Sequence, residues 1–443
     1  MTRTLADLPA VTFSGEDIMS GRFPELLAAA AMQHGPIFKW VITEGWDAGE
    51  YVYMVGPEAN RFVFHTGREH FSHHLGWTPL IGDTFGKGLL NMDDPEHTRH
   101  RKMWNPAFTA AAMERYIPVM QRVITERSSH WPEHEKIDIY AEAREITFDI
   151  AAAALGGIER GVDVDRMRQM FYVLLSGFSP DQEDAQNYEL NYMQVLTELR
   201  STLLSLIAQR RALPDDNQPN DVVGMIVRAR DEDGNALSDE QVLAHLNILL
   251  VAGHETTTTL AAWTLYTLAI SADQRTRVMS ELDGLVSSAP ASVEALRSMR
   301  VLDAFIRETG RLYSPVINVP RGVVSDFEFA GYHIPAGSML RLSLAGGHRL
   351  PHVFDHPERF DLDRFLPPRD EERRTPYGLV TFGGGPRICI GINFAQIEVK
   401  ALAAHVLRNY SIEAASPPGR HAGHWNANIP EGLWLKVRMK DEG

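Results

Sequence analysis

One stretch constrains this chain more than any other: from Asp239 to Ile270 the sequence runs almost without charge for about thirty residues, some 45 Å of α-helix at 1.5 Å per residue. It opens on Ser238 and Gln241, spaced to close a capping box. A helix that is apolar on every side is buried on every side, so the rest of the chain must wrap around it. The run Leu246 to Ile270 is also long enough to cross a bilayer. Its middle, however, reads Gly253-His254-Glu255 followed by Thr256, Thr257, Thr258 and Thr259, and a carboxylate at mid-bilayer is costly. The stretch is therefore expected to be the central helix of a soluble core.

A chain of 443 residues, 44% hydrophobic, has enough apolar material to build that core and enclose a large prosthetic group. Gly and Pro are scattered, with no low-complexity linker and no repeat at solenoid periods, so residues 1–443 are expected to form one unit. Apolar residues at three- and four-residue steps predict helices over Met113–Ser129, Ala141–Leu155, Asp165–Ser176, Leu190–Arg211, Asp239–Ile270, Ser292–Leu312 and Gly391–Asn409. Residues 41–64 and 327–344 mix β-formers with turn residues and predict a small sheet. The expected class is mainly α with a minor β part.

The only cysteine is Cys389, which excludes an intramolecular disulfide and fits a reducing compartment. The first forty residues lack a signal-peptide pattern, so a cytoplasmic location is expected. A net charge of -15 disfavours nucleic acid as a partner. Against it, Arg99, His100, Arg101 and Lys102 form a local basic run, either a solvated helix face or a docking patch for an acidic protein.

Residues 382–391 read FGGGPRICIG. Three glycines let backbone approach a flat surface closely. A thiolate just before a helix is favoured by the helix dipole and its free N–H groups, and Arg387 can supply a cation to an acidic group. A lone cysteine would otherwise read as a small buried hydrophobe beside a flexible loop. The whole decapeptide, however, resembles the haem-binding loop of the cytochrome P450 superfamily, F-G-x-G-x-R-x-C-x-G, at every fixed position. That resemblance implies the P450 fold, with its long central helix over a haem b. It makes Cys389 the axial ligand of the iron and Phe382, Arg387 and Gly391 part of the cofactor loop.

The same family carries a signature on its central helix, here AGHETT from Ala252 to Thr257. Dioxygen activation needs protons delivered to the outer oxygen inside a dry pocket, and an acid followed by an alcohol does that. By resemblance, Ala252 and Gly253 face the haem, and Gly253 lets the helix open locally. Glu255 relays protons and Thr256 holds the oxygen group and an ordered water. A zinc-protease reading of His254-Glu255 fails, because H-E-x-x-H needs histidine where Thr258 stands.

Glu308 and Arg311 lie one turn apart. The family buries such a pair with a downstream arginine, for which Arg359 in Pro357-Glu358-Arg359-Phe360 is the expected third member. His97 and Arg101, in DPEHTRHRKMW, resemble the family's propionate-binding helix, and Arg321 and Arg387 match further propionate ligands; buried carboxylates need such cations. His70, His73 and His74, and His348, His352 and His356, read as loop residues.

The resemblance extends from about Gly35 onward and implies thiolate-supported cleavage of dioxygen, one oxygen atom entering a small, largely apolar substrate. Electrons are expected from a separate ferredoxin or flavodoxin with its reductase, and the protein is expected as a monomer off the membrane. The substrate pocket is expected to draw on Phe71–Leu90, Phe171–Tyr192, Pro315–Val319 and Asn426–Pro430, with Leu75, Trp77, Leu80, Ile81, Phe85, Phe171 and Leu250 making it apolar. The overall pattern lies somewhat closer to cyanobacterial and animal retinoid or isoprenoid hydroxylases than to camphor-type enzymes; fatty acids, steroids and polyketides stay open. A peroxygenase using hydrogen peroxide, or a haem gas sensor, is the alternative.

Overall fold

The computed structural model describes residues 3–42, 48–132, 135–158, 162–176, 185–214, 221–285, 292–415, 419–422 and 427–440. Helices dominate, and nine of them frame the site: α1 (His73–Phe85), α2 (Glu96–Trp104), α3 (Ala110–Ser128), α4 (Ile139–Gly156), α5 (Val162–Ser176), α6 (Ala185–Ala212), α7 (Asp239–Ile270), α8 (Arg300–Leu312) and α9 (Ile392–Asn409).

The central helix α7 forms as its sequence dictates. Gln241 N–H donates to Ser238 Oγ at 3.2 Å and Ser238 N–H to Gln241 Oε1 at 2.9 Å, while Asp239 and Glu240 face the positive helix end. Its threonines survive burial by bonding back one turn: Thr256, Thr258 and Thr264 donate to the carbonyls of Ala252, His254 and Leu260 at 2.7, 2.8 and 2.7 Å. The helix packs most extensively on α4, where Thr258 meets Thr147 at 2.6 Å and His254 stands edge-on to Phe148. Among the described residues, no helix is long and apolar enough to cross a membrane.

The main sheet has six strands, β1 (Ala10–Val11), β2 (Ile37–Ile42), β3 (Gly49–Val55), β4 (Phe71–Ser72), β5 (Asn318–Val323) and β6 (Met339–Ser343), in the order β1-β2-β3-β6-β5-β4. One large apolar core runs between the helices and a smaller one lies beneath the sheet.

Several elements depart from expectation for local reasons. The predicted helix over Ser292–Leu312 is broken at Met299 into Val293–Ser298 and α8. The carboxylate of Glu281, distant in sequence, accepts the N–H groups of Val301 and Leu302 at 2.9 and 3.0 Å, and so caps a new helix start. Strand β5 contains Pro320, which hides it from a strand pattern. The segment after Phe71, read as loop, folds as α1 because Ser72 Oγ caps Leu75 N–H at 3.0 Å and Asp93 accepts the N–H groups of His73 and His74. Gly76 is required there: a Cβ would stand 2.7 Å from the Pro320 carbonyl, so α1 rests directly on β5.

Candidate active site

The cysteine loop is held from behind by a buried ion cluster. Glu308 and Arg311, both on α8, are fully buried, and Arg311 donates to Glu308 through Nε at 2.7 Å and Nη2 at 2.8 Å. The third member is Arg364, contrary to the expected Arg359. Arg364 Nε donates to Glu308 Oε1 at 3.2 Å and Nη1 to Glu371 at 3.2 Å. Arg359 is exposed and joins only through its backbone carbonyl, which accepts from Arg311 and Arg364 at 3.2 and 3.3 Å. From this cluster the bonding passes to the loop. The His348 carbonyl accepts from Arg311, and the His348 ring accepts Val380 N–H at 3.0 Å. The Phe382 carbonyl then accepts Cys389 N–H at 2.9 Å. His348 lies in a turn, as expected, but it is buried there and acts as a linker, and burial draws its pKa down to about 3.

The glycines of the loop answer to protein. A Cβ on Gly385, whose φ is +62°, would stand 2.1 Å from the Phe64 carbonyl oxygen, and Gly384 lies against Phe64 and Tyr377. Cys389 lies deep, yet protein atoms leave its side chain accessible. Burial pushes its thiol up, and the Gly391 N–H and Arg101 oppose this. Gly391 is the N-cap of α9.

Four cations or potential cations gather beside the loop: His97 on α2, Arg321 on β5, Arg387 in the loop and His73 at the start of α1. His73 was hidden in the sequence, because only the antiparallel pairing of Ser72 with Gly322 sets it beside Arg321. Arg321 is buried, and among the described residues its one side-chain hydrogen bond goes to the Pro320 carbonyl. Burial and the neighbouring Arg387 pull its pKa down to about 9, with Asp93 opposing. Burial and Arg387 likewise hold His97 at about 4, although Asp94 lies 3.6 Å away. Arg387 itself donates to the Met92 carbonyl at 2.7 Å. Arg101 is near this group, but its guanidinium bonds the Ile388 carbonyl at 2.7 Å and so braces the cysteine loop.

On the opposite side α7 presents Ala252, exposed in the mostly buried middle of the helix, with Gly253 and Thr256 half-buried beside it. The helix is continuous here and shows no local opening at Gly253, where a Cβ would meet only Leu155, at 3.6 Å. Glu255 turns toward α4. Arg144 Nε donates to it at 2.8 Å, His254 Nε2 lies 3.0 Å away, and the Tyr140 hydroxyl sits at 3.5 Å. Burial would raise the Glu255 carboxyl, but His254 and Arg144 outweigh it and hold the pKa at about 2.

Of the expected pocket residues, Phe85 and Phe171 are buried and stack at 6.5 Å, and Leu250 is buried. Trp77, Leu80 and Ile81 are half-buried, whereas Leu75 lies over Gly322 with 48% of its surface exposed. Residues 177–184 and Asn426 lie outside the described residues.

A sequence profile of the family described as cytochrome P450 matches residues 17–422. The chain belongs to the cytochrome P450 family. Among relatives of this P450, a sterol 14alpha-demethylase of Mycolicibacterium vanbaalenii is 29% identical over 83% of this chain and 83% of its own length. A protein named putative cytochrome P450 120, of Synechocystis, is 28% identical over 85% of this chain and 84% of its own. The solved structure of retinoic acid-bound cyanobacterial CYP120A1 superposes with a TM-score of 0.86 at 25% identity, covering 99% of this chain and 100% of that one. The P450 family implies a haem-thiolate monooxygenase that uses dioxygen, an electron-donating partner and a hydrophobic substrate. The residues fit such a group: an accessible sulfur faces no competing ligand among the described residues, and the buried Arg321 lacks a hydrogen-bonded carboxylate, as a propionate partner requires.

Proposed function

We propose that this P450 holds haem b and hydroxylates or epoxidises a small apolar molecule of isoprenoid, retinoid, steroid, fatty-acid or polyketide type. The likeness to a retinoic acid-bound structure over nearly the whole chain carries the isoprenoid or retinoid end of that range, and the sterol 14alpha-demethylase relative supports the steroid member. Ferredoxin or flavodoxin, with its reductase, supplies electrons. The protein acts as a cytoplasmic monomer, one unit over residues 1–443.

When bound, haem supplies the iron on which dioxygen is activated. Cys389 would be its thiolate ligand, within the loop that includes Phe382 and Gly391 and is braced by Arg101. His97, Arg321, Arg387 and His73 would take the propionates, Arg321 and Arg387 as cations and the two histidines as hydrogen-bond donors or, once protonated, charges. Ala252 and Gly253 would border the opposite face. Thr256 spends its proton on the Ala252 carbonyl, so its oxygen is free to accept from a water and hold it in line.

Replacing Thr256 with Ala removes that acceptor. Product per electron pair should then fall on the order of 10²-fold, with hydrogen peroxide released in its place. A gas sensor would keep its ligand affinity and show no such leak, and a peroxygenase supplied with hydrogen peroxide would lose little. Coupled assays of product and peroxide distinguish the three.

Glu255 would serve the relay as a carboxylate, because the lowered pKa keeps it ionised. Its ion pair with Arg144 stabilises the fold above the ordinary carboxyl value of 4.5, and that stability is lost as pH falls toward about 2. In Arg144→Met, burial is left opposed by His254 and the Tyr140 hydroxyl without the guanidinium, and the carboxyl pKa rises. Turnover of the variant should gain an acid limb at higher pH than wild type; superimposable pH profiles would remove this role for Arg144.

The basic run offers less to a partner than its sequence promised. His100 is buried, Arg101 is committed to Ile388 and Lys102 pairs with Glu232 at 2.6 Å, which leaves Arg99 and Lys102 exposed. Ferredoxin-supported turnover should fall as salt rises, and Arg99→Glu should flatten that dependence. Turnover indifferent to salt in both proteins would exclude docking on this face.

A further inference from the structure

Between α2 and α7 lies a contact that neither the loop nor the proton relay uses. His100 Nδ1 and His245 Nε2 are 2.8 Å apart, and both rings are buried. Trp104 flanks His245 with ring centroids 5.2 Å apart. Burial lowers the pKa of both histidines, His245 to about 3. The charged or titratable groups around the pair are Glu96, Arg99, Lys87 and Asp231 near His100, and His97 near His245. Two neutral imidazoles can share a gap of this length only if one ring donates its N–H and the other accepts.

The place of the pair gives it meaning. His100 follows His97 by one turn of α2, and His245 precedes Ala252 by seven residues, two turns along the same face of α7. The two helices otherwise touch only sparsely. One helix carries His97 and Arg101, and the other carries Ala252 and Thr256.

We propose that His100 and His245 are a positioning pair whose ring-to-ring hydrogen bond sets the spacing of α2 from α7 and so the protein's grip on haem. The proposal rests on the reading of α2 as a helix that holds the cofactor. Leaving one buried ring without its partner is costly, whereas removing both polar groups together is far less so. Stability and haem retention can therefore be separated.

The test uses the haem-loaded protein and measures the rate of haem transfer to excess apomyoglobin, with the urea midpoint and ferric spin state alongside. His245→Leu should release haem about tenfold faster and unfold earlier, while His245→Gln, which can still bond His100, should return to within about threefold of wild type. The double variant His100→Leu/His245→Leu should regain its midpoint yet still release haem about tenfold too fast, with an altered spin state. A double variant that recovers both would make the pair simple packing and overturn the proposal. So would wild-type release from His245→Leu; if that variant does not fold, the double and glutamine variants decide by the same criteria. His97→Ala separates the premise: unchanged release there would remove the cofactor role of α2 and the proposal with it. Fast release from His97→Ala beside an unaltered His245→Leu would overturn the pair alone.

Discussion

Arg364→Ala should cost about 3–5 kcal/mol of stability and yield little haem-bound protein, whereas Arg359→Ala, five residues earlier, should change stability by less than about 0.5 kcal/mol. Arg364 is buried against Glu308 and Glu371 and also donates to the His356 and Arg359 carbonyls. Its loss removes four hydrogen bonds and one of the cations from a buried cluster, leaving Glu308 to Arg311 alone and Glu371 to Arg369 and Arg374. A total stability of roughly 5–15 kcal/mol leaves little reserve for that. The Arg359 side chain is exposed, and the backbone carbonyl that it contributes survives truncation. Urea denaturation of the two variants tests the pair directly, and equal effects would reject the assignment of Arg364.

Cys389→Ala should do the reverse, abolishing monooxygenase chemistry while leaving the fold intact. The loop is held by bonds that the substitution does not touch: Cys389 N–H to the Phe382 carbonyl, Arg101 to the Ile388 carbonyl and Arg387 to the Met92 carbonyl. Only the sulfur is lost, and with it the electron-rich ligand on which oxygen cleavage depends. The reduced, carbon monoxide-bound wild type should display the shifted Soret band of thiolate ligation and the variant should not, with circular dichroism unchanged between them. A variant that kept the shifted band would dismiss Cys389 as the ligand.

The sequence made the central helix legible because burial on every side leaves a long uncharged run and its start carries a local capping box. The cysteine loop was legible because its residues are consecutive. Legibility failed where partners are far apart in the chain. The choice between Arg359 and Arg364 depends on which guanidinium turns inward after a chain reversal, and both sit in similar Arg-Phe contexts. His73 joins the cations only through pairing of Ser72 with Gly322. The ion pair of Glu255 depends on Arg144, more than a hundred residues away on α4. The break at Met299 follows from Glu281 on the helix Ala272–Leu285, and no periodicity within the broken segment announces it.

The seat of α1 on β5 has a wider consequence. Gly76 touches the Pro320 backbone and Arg321 follows at once in the same strand, so the element expected to meet substrate and a residue proposed to grip the cofactor move as one body. Engineering α1 toward bulkier guests would therefore be paid in loosened haem, and selectivity and cofactor retention in this enzyme should drift together through any series of such variants.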